Sequence, residues 1–334
     1  MERRIAVIGG GSWGTAFASM LGGRYPDVSL WVREKEVSDG ILRDRENRLF
    51  LPGIRVPEAV RPTVNLGEAL DGRGIVALAV PSQHMRGVSL RAAAHLAPGA
   101  RVVSLSKGLE NGSLQRMTEV LAETMPEFAG RLAALSGPTF AREVAEGKPA
   151  GATVASADST VALFLQAAFS GERFRVYAET DVVGIELGGA LKNVIAIAAG
   201  MSDGLGFGHN ARALLIARGL AEIARAGARL GANHRTFAGL SGLGDLVLTC
   251  TGDLSRNRTV GLRVGRGERI EDILSGMAMV AEGVETARAA ADLARRLGVA
   301  MPISEQVHRI LGEGKDVKAA VSDLFARAPR PEKD

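Results

Sequence analysis

The chain begins with Arg4-Ile5-Ala6-Val7-Ile8-Gly9-Gly10-Gly11-Ser12-Trp13-Gly14-Thr15-Ala16, a β-branched run that passes directly into G-x-G-x-x-G and then into an alanine-rich helical pattern. In that order the three glycines have separate tasks. Gly9 permits the tight turn, Gly11 lets the backbone approach a pyrophosphate, and Gly14 lets the helix pack on the strand. The helix start then aims unpaired N–H groups and its positive dipole end at the phosphates. A second strand pattern, Val28 to Val32, follows at the βαβ distance, so the spacing predicts a dinucleotide site. Such a second strand commonly ends in an acid that holds the ribose 2′-hydroxyl. Here Arg33 takes that place, with Glu34 behind it. A guanidinium there pairs with a 2′-phosphate, which favours NADP(H), while Glu34 keeps NAD(H) as the alternative.

Length and charge bound the rest. At 334 residues the chain exceeds one ordinary core and predicts two domains. A formal charge of +4, with no Lys/Arg run, argues against a nucleic-acid partner. Cys250 is the only cysteine, which excludes an internal disulfide and a paired-cysteine metal site, and the five histidines show no ligand spacing. No metal is therefore expected. The first strand starts without a signal-peptide pattern, and the most apolar long run, Ile185 to Met201, contains Glu186 and Lys192. A cytoplasmic protein without membrane insertion is the expectation.

Short apolar runs at Ile5–Ile8, Val28–Val32, Ile75–Val80, Val102–Leu105, Leu132–Leu135, Thr153–Ala155 and Phe174–Tyr177 alternate with helical patterns at Met85–His95, Leu114–Glu123 and Thr160–Phe169. This predicts an α/β fold, a Rossmann-type doubly wound parallel sheet over residues 1–180. From Asp181 the strand patterns stop. Period-3.6 patterns run from near Asn210 to Leu230 with Gly231 beyond, and over Val284–Leu297, Ile303–Leu311 and Val317–Ala326, predicting an all-helical domain over 181–327. Residues 328–334 read as a disordered polar tail.

Several segments carry chemistry. Lys192 lies in an apolar helical pattern with Gly188, Gly189 and Ala190, where desolvation would lower its pKa and suit it to proton transfer, unless its head snorkels to water. Asp245, between glycines and an apolar run, could hold a substrate hydroxyl, orient the lysine, or cap a helix. Ser255-Arg256-Asn257-Arg258 offers a hydroxyl, guanidiniums and an amide suited to phosphate. Lys107 ends a sheet strand, where open α/β folds gather ligands. Ser136-Gly137-Pro138-Thr139-Phe140-Ala141 follows another strand, offering N–H groups to an anion or a helix start with proline first.

Taken in order, these stretches, together with Ser106–Glu110, Glu186–Ile197, Gly204–Gly208, Gly242–Thr251 and Glu282-Gly283, resemble the bacterial-type NAD(P)-dependent glycerol-3-phosphate dehydrogenases over nearly the whole chain. The resemblance implies reversible reduction of dihydroxyacetone phosphate to sn-glycerol 3-phosphate, an entry step to phospholipid synthesis, and allows a homodimer. It implies that Lys192 is the acid and base at the C2 oxygen, that Asn193 and Asp245 fix the reacting end, and that Lys107 meets cofactor and substrate. Ser255, Arg256 and Asn257 would hold the phosphate and nearby groups of the substrate, with Gly137 and Thr139 contributing to its binding from the opposite side. Ser12, Trp13, Arg33, Lys107, Ala141, Arg256, Val280 and Glu282 would line the cofactor. Phe50 departs from the pattern, standing where a tyrosine is expected. Two other functions share parts of this pattern: another Rossmann β-hydroxyacid dehydrogenase, which would need no phosphate clamp, and an NADPH sensor without turnover, which would have little need for Lys192 and Asp245.

Overall fold

A computed structural model describes residues 4–277, 281–329 and 331–332. Val280, and most of the charged end of the predicted tail, lie outside them. Eight strands form the main sheet: β1 (Ile5–Ile8), β2 (Val28–Trp31), β3 (Val60–Thr63), β4 (Ile75–Leu78), β5 (Arg101–Ser104), β6 (Leu132–Ser136), β7 (Ala150–Ala155) and β8 (Phe174–Glu179). Their spatial order is β8-β7-β6-β5-β4-β1-β2-β3. The order reverses direction around β1 and β4, which places a ligand crevice at the carboxyl ends of these strands. Apolar clusters cover both faces, as helices on two sides require.

The fold departs from the sequence expectation at three places. The sheet is not wholly parallel: β7 runs antiparallel to β6, pairing Leu135 with Val154, whereas β8 is parallel to β7. A parallel return needs a long crossover, and the link from β6 to β7 carries only the short helix Ala141–Ala145, so the chain turns straight back. Edge strand β3 has no counterpart among the predicted strands, because Val60-Arg61-Pro62-Thr63 lacks an apolar run and contains a proline suited to an edge. Leu114 takes a left-handed φ of 60°, and the helix predicted from it begins only at Met117.

Eight helices position the site: α1 (Ser12–Gly22), α2 (Met85–Ala93), α3 (Val182–Gly204), α4 (Gly208–Arg229), α5 (Asp245–Thr251), α6 (Arg256–Gly265), α7 (Glu282–Leu297) and α8 (Pro302–Glu313). Helix α3 is long and apolar enough to cross a membrane by composition, but 83% of its apolar window is buried inside the protein. It is the axis of a helical core that includes Leu191, Val194, Ile223, Val260 and Leu293. Asp181 caps its start by accepting from Gly184 N at 2.9 Å. Buried Glu222 on α4 ties in α8, accepting from Ile303 N at 2.7 Å and Ser304 N at 3.1 Å.

Because β7 and β8 are reversed, α3 starts at the far edge of the sheet and climbs toward the crevice. Ile185 packs on Ala134 and Ala155, and further along a Cβ on Gly189 would lie 2.5 Å from Ser136 Oγ at the end of β6. Lys192 follows, just beyond the strand ends. On the other side α3 meets α6 backbone to backbone: a Cβ on Gly200 would stand 2.1 Å from Arg258 O, and one on Gly261 2.0 Å from Ile197 O. Gly200→Ala should force these helices apart and destabilise the protein by about 1–3 kcal/mol, measured as a lower urea midpoint.

Candidate functional site

A cleft of about 970 Å³ runs from the glycine turn to α6 and α7. At its first end the turn has the predicted shape. Gly9 holds φ 122° with Ala79 O where a Cβ would be, and a Cβ on Gly14 would be 1.9 Å from Gly9 O. A Cβ on Gly11 meets nothing within 4 Å, so this residue leaves its backbone open to the cleft. Asn47 holds the turn from behind, donating to Gly10 O and Thr15 Oγ1, both at 2.8 Å. Trp13 lines the cleft, and its buried indole N–H has no partner among the described residues. An open glycine backbone, a helix N-terminus and an orphan donor together suit a phosphate-bearing dinucleotide.

The floor of the cleft is a buried charge cluster. Lys192 Nζ donates to Asp245 Oδ1 at 2.5 Å and to Thr249 Oγ1 at 2.7 Å. Lys107 Nζ donates to the other carboxylate oxygen at 2.8 Å, and to Gly137 O at 2.9 Å. The side chains of Lys192 and Asp245 are only 7% and 1% exposed, so the lysine does not snorkel. One carboxylate serves two ammoniums, leaving a net positive charge in a desolvated place. Burial pulls Lys192 down to about 8; Asp245 works against that, and Lys107 adds to it. Thr249 donates its own hydrogen to Asp245 O at 2.6 Å, which leaves its lone pairs to the lysine. Local packing explains the meeting. A Cβ on Gly188 would lie 2.5 Å from Ser241 O, so its absence lets the π-helical turn Leu240–Gly244 rest on α3 and deliver Asp245. Asp245 is the first residue of α5 and does not cap it.

The wall is built by α6 and α7. Ser255 caps α6, accepting from Arg258 N at 3.2 Å, and Arg256 opens onto the cleft beside it. Asn257 donates to Asn193 Oδ1 at 3.0 Å and accepts from Gly283 N at 2.9 Å, while Asn193 donates to Lys107 O at 3.4 Å. This amide chain ties the lysine loop to α3, α6 and α7. Glu282, first in α7, lines the same wall; burial raises its carboxyl, and the Arg256 guanidinium is the main influence drawing it back.

Most residues singled out from the sequence therefore meet in one cleft. Ser12, Trp13, Arg33, Lys107, Thr139, Ala141, Lys192, Asn193, Ser255, Arg256, Asn257 and Glu282 all line it. Gly14, Gly137 and Asp245 sit behind this lining, supporting it from within. Val280 is outside the described residues. Pro138 does not start a helix, since the next one begins at Ala141. Gly137 instead takes φ 150° with Gly151 O 2.9 Å from where a Cβ would lie, turning its carbonyl to Lys107. Phe50 lines the cleft without a hydroxyl. Arg33 is exposed and folded onto Glu34, donating to Oε1 at 2.5 Å. Sequence reasoning missed Thr249, although its place one helical turn after Asp245 could have indicated it.

The chain is similar to known proteins over nearly its whole length. The family model for the NAD-dependent glycerol-3-phosphate dehydrogenase N-terminus matches residues 4–162, and that for the C-terminus matches residues 181–322. The glycerol-3-phosphate dehydrogenase [NAD(P)+] of Syntrophotalea carbinolica is 54% identical over 331 residues, covering 99% of each chain. The crystal structure of glycerol-3-phosphate dehydrogenase from Coxiella burnetii superposes with a TM-score of 0.93 at 38% identity, covering 98% of this chain and 99% of that one. A D-mandelate dehydrogenase structure, at 13% identity and a TM-score of 0.59, shares the fold alone.

Proposed function

The chain belongs to the NAD-dependent glycerol-3-phosphate dehydrogenase family, oxidoreductases that interconvert dihydroxyacetone phosphate and sn-glycerol 3-phosphate with a nicotinamide cofactor, and we propose that in this chain Lys192 is the proton donor to the C2 oxygen. The observation that carries this reading is the Asp245 carboxylate gripping Lys192 and Lys107 at the floor of the cleft.

The labour divides between the two halves of the chain. Residues 1–180 hold the dinucleotide along the glycine turn, and residues 181–327 supply the proton and the phosphate clamp. The bound nicotinamide supplies the hydride. As charge grows on the substrate oxygen, the Lys192 ammonium stabilises it and then donates its proton. Asp245 and Thr249 hold that ammonium in place, and Asp245 holds Lys107 beside it. Asn193 fixes the reacting end through its amide chain. Ser255, Arg256 and Asn257, at the positive end of α6, hold the phosphate, and this remote binding orients C2. Gly137 and Thr139 position Lys107 from the opposite side. The product supplies the glycerol backbone of phospholipids. We assign the cofactor as NADP(H) on the strength of Arg33, with Glu34 retaining capacity for NAD(H).

The direct test is oxidation of NADPH, and separately of NADH, with and without dihydroxyacetone phosphate. Turnover only with the phosphorylated ketose, and better with NADPH, is expected; no turnover with either cofactor would overturn the reading. The Lys192 ionisation sets opposite pH profiles for the two directions. Reduction needs the ammonium, so its rate should be full below about 8 and fall above it; oxidation needs the neutral amine and should rise through the same range. Initial rates in both directions across this range check the sign.

A further inference from the structure

Helix α2 presents one regular stripe to the cleft. His84, just before its first turn, and Gly87, Val88 and Arg91 all line it, at the i, i+3, i+4, i+7 spacing of a single helical face. A Cβ on Gly87 would meet nothing within 4 Å, so the middle of the stripe is clear of side chain and leaves room beside the backbone. At its far end the Arg91 guanidinium lies 5.5 Å above the ring of Trp31, the last residue of β2. That ring is fixed, since it is 4% exposed and its N–H donates to Val64 O at 3.0 Å. Arg33 follows Trp31 by two residues and lines the same cleft. Arg91 is thereby held at the corner where β2 ends.

Charge decides what this corner can bind. Arg33 is paired with Glu34 at 2.5 Å, so the two together contribute no net charge. Arg91 makes no ion pair with a carboxylate among the described residues. A monoester phosphate carries roughly −1.5 to −2 near neutral pH and draws its specificity from charged donors. Arg33 offers such a group its donors, but Glu34 offsets its charge. Arg91 supplies the uncompensated charge. Resting on the NADP(H) reading above, we propose that Arg91 is the second cation of the 2′-phosphate pocket and that, with Arg33, it determines selection of NADP(H) over NAD(H).

The test reads binding and needs no turnover. The full chain is titrated calorimetrically with adenosine 2′,5′-bisphosphate and with 5′-AMP, as wild type, Arg33→Ala and Arg91→Met; methionine keeps an apolar stem over Trp31. Wild type should prefer the bisphosphate. Arg91→Met should weaken the bisphosphate about tenfold and 5′-AMP less than twofold. A preference retained in Arg91→Met but lost in Arg33→Ala overturns the role of Arg91 while leaving the NADP(H) reading intact. Equal loss of both ligands in Arg91→Met would make it a packing residue and also overturn the proposal. Equal affinities in wild type would overturn the NADP(H) reading itself, and Arg91 with it.

Discussion

Replacing Lys192 with alanine should lower turnover by a factor on the order of 100 or more, since a positioned proton donor is typically worth that much. The fold should survive the change. Asp245 keeps Lys107 at 2.8 Å, so no buried carboxylate is left without a cation. Lys192→Met, which fills the volume, separates loss of chemistry from any cavity. Both variants should bind NADPH with near-wild-type affinity, measured by fluorescence titration. Both should also lose the inflection near 8 in the residual pH profile, because the group that produces it is gone. Turnover near the wild-type level in either variant would remove Lys192 from its role.

The second large effect is expected at Arg256. Its removal takes away a charged donor at the mouth of α6, a loss of about 1.5–3 kcal/mol in substrate binding, or a rise in KM for dihydroxyacetone phosphate of roughly ten- to a hundredfold. Glu282 loses its main nearby counter-charge in that variant, which raises its buried carboxyl further. Lysine at 256 should restore only part of the affinity, being a point charge in place of a planar fork. An unchanged KM in Arg256→Ala would count against the clamp. The contrast with Lys192 is diagnostic: one variant acts on kcat, the other on KM.

Much of this site is legible in the residue order because its parts are local. The glycine turn needs only its own strand and helix, and the conformation that Gly9 adopts is dictated within a few residues. Ser255 as a helix cap and the apolar surroundings of Lys192 are likewise properties of short segments. Other features join segments far apart. Asp245 lies 53 residues from Lys192 and 138 from Lys107, so the sequence leaves three readings of it open, whereas the fold puts one lysine on each of its two oxygens. Glu222 looks like any polar residue of an amphipathic helix, yet it is buried under the start of α8.

The order of residues by itself determined a strand, glycine turn and helix of the form that dinucleotides use, helices on both faces of a sheet, and a lysine in an apolar helix, because each follows from periodicity or from glycine sterics over a few turns. It did not settle the direction of the strands. Thr153–Ala155 is buried on both faces and reads the same whichever way it runs, since burial on two sides erases any alternation that could mark it. Only the three-dimensional pairing of Leu135 with Val154 reversed β7 and β8, sent α3 up from the far edge of the sheet, and brought Lys192 out at the cleft. Lys192, Asp245 and the start of α6, the proposed proton donor, its carboxylate partner and the proposed clamp, come together through that reversal and through glycine contacts between helices, both of which depend on long-range packing.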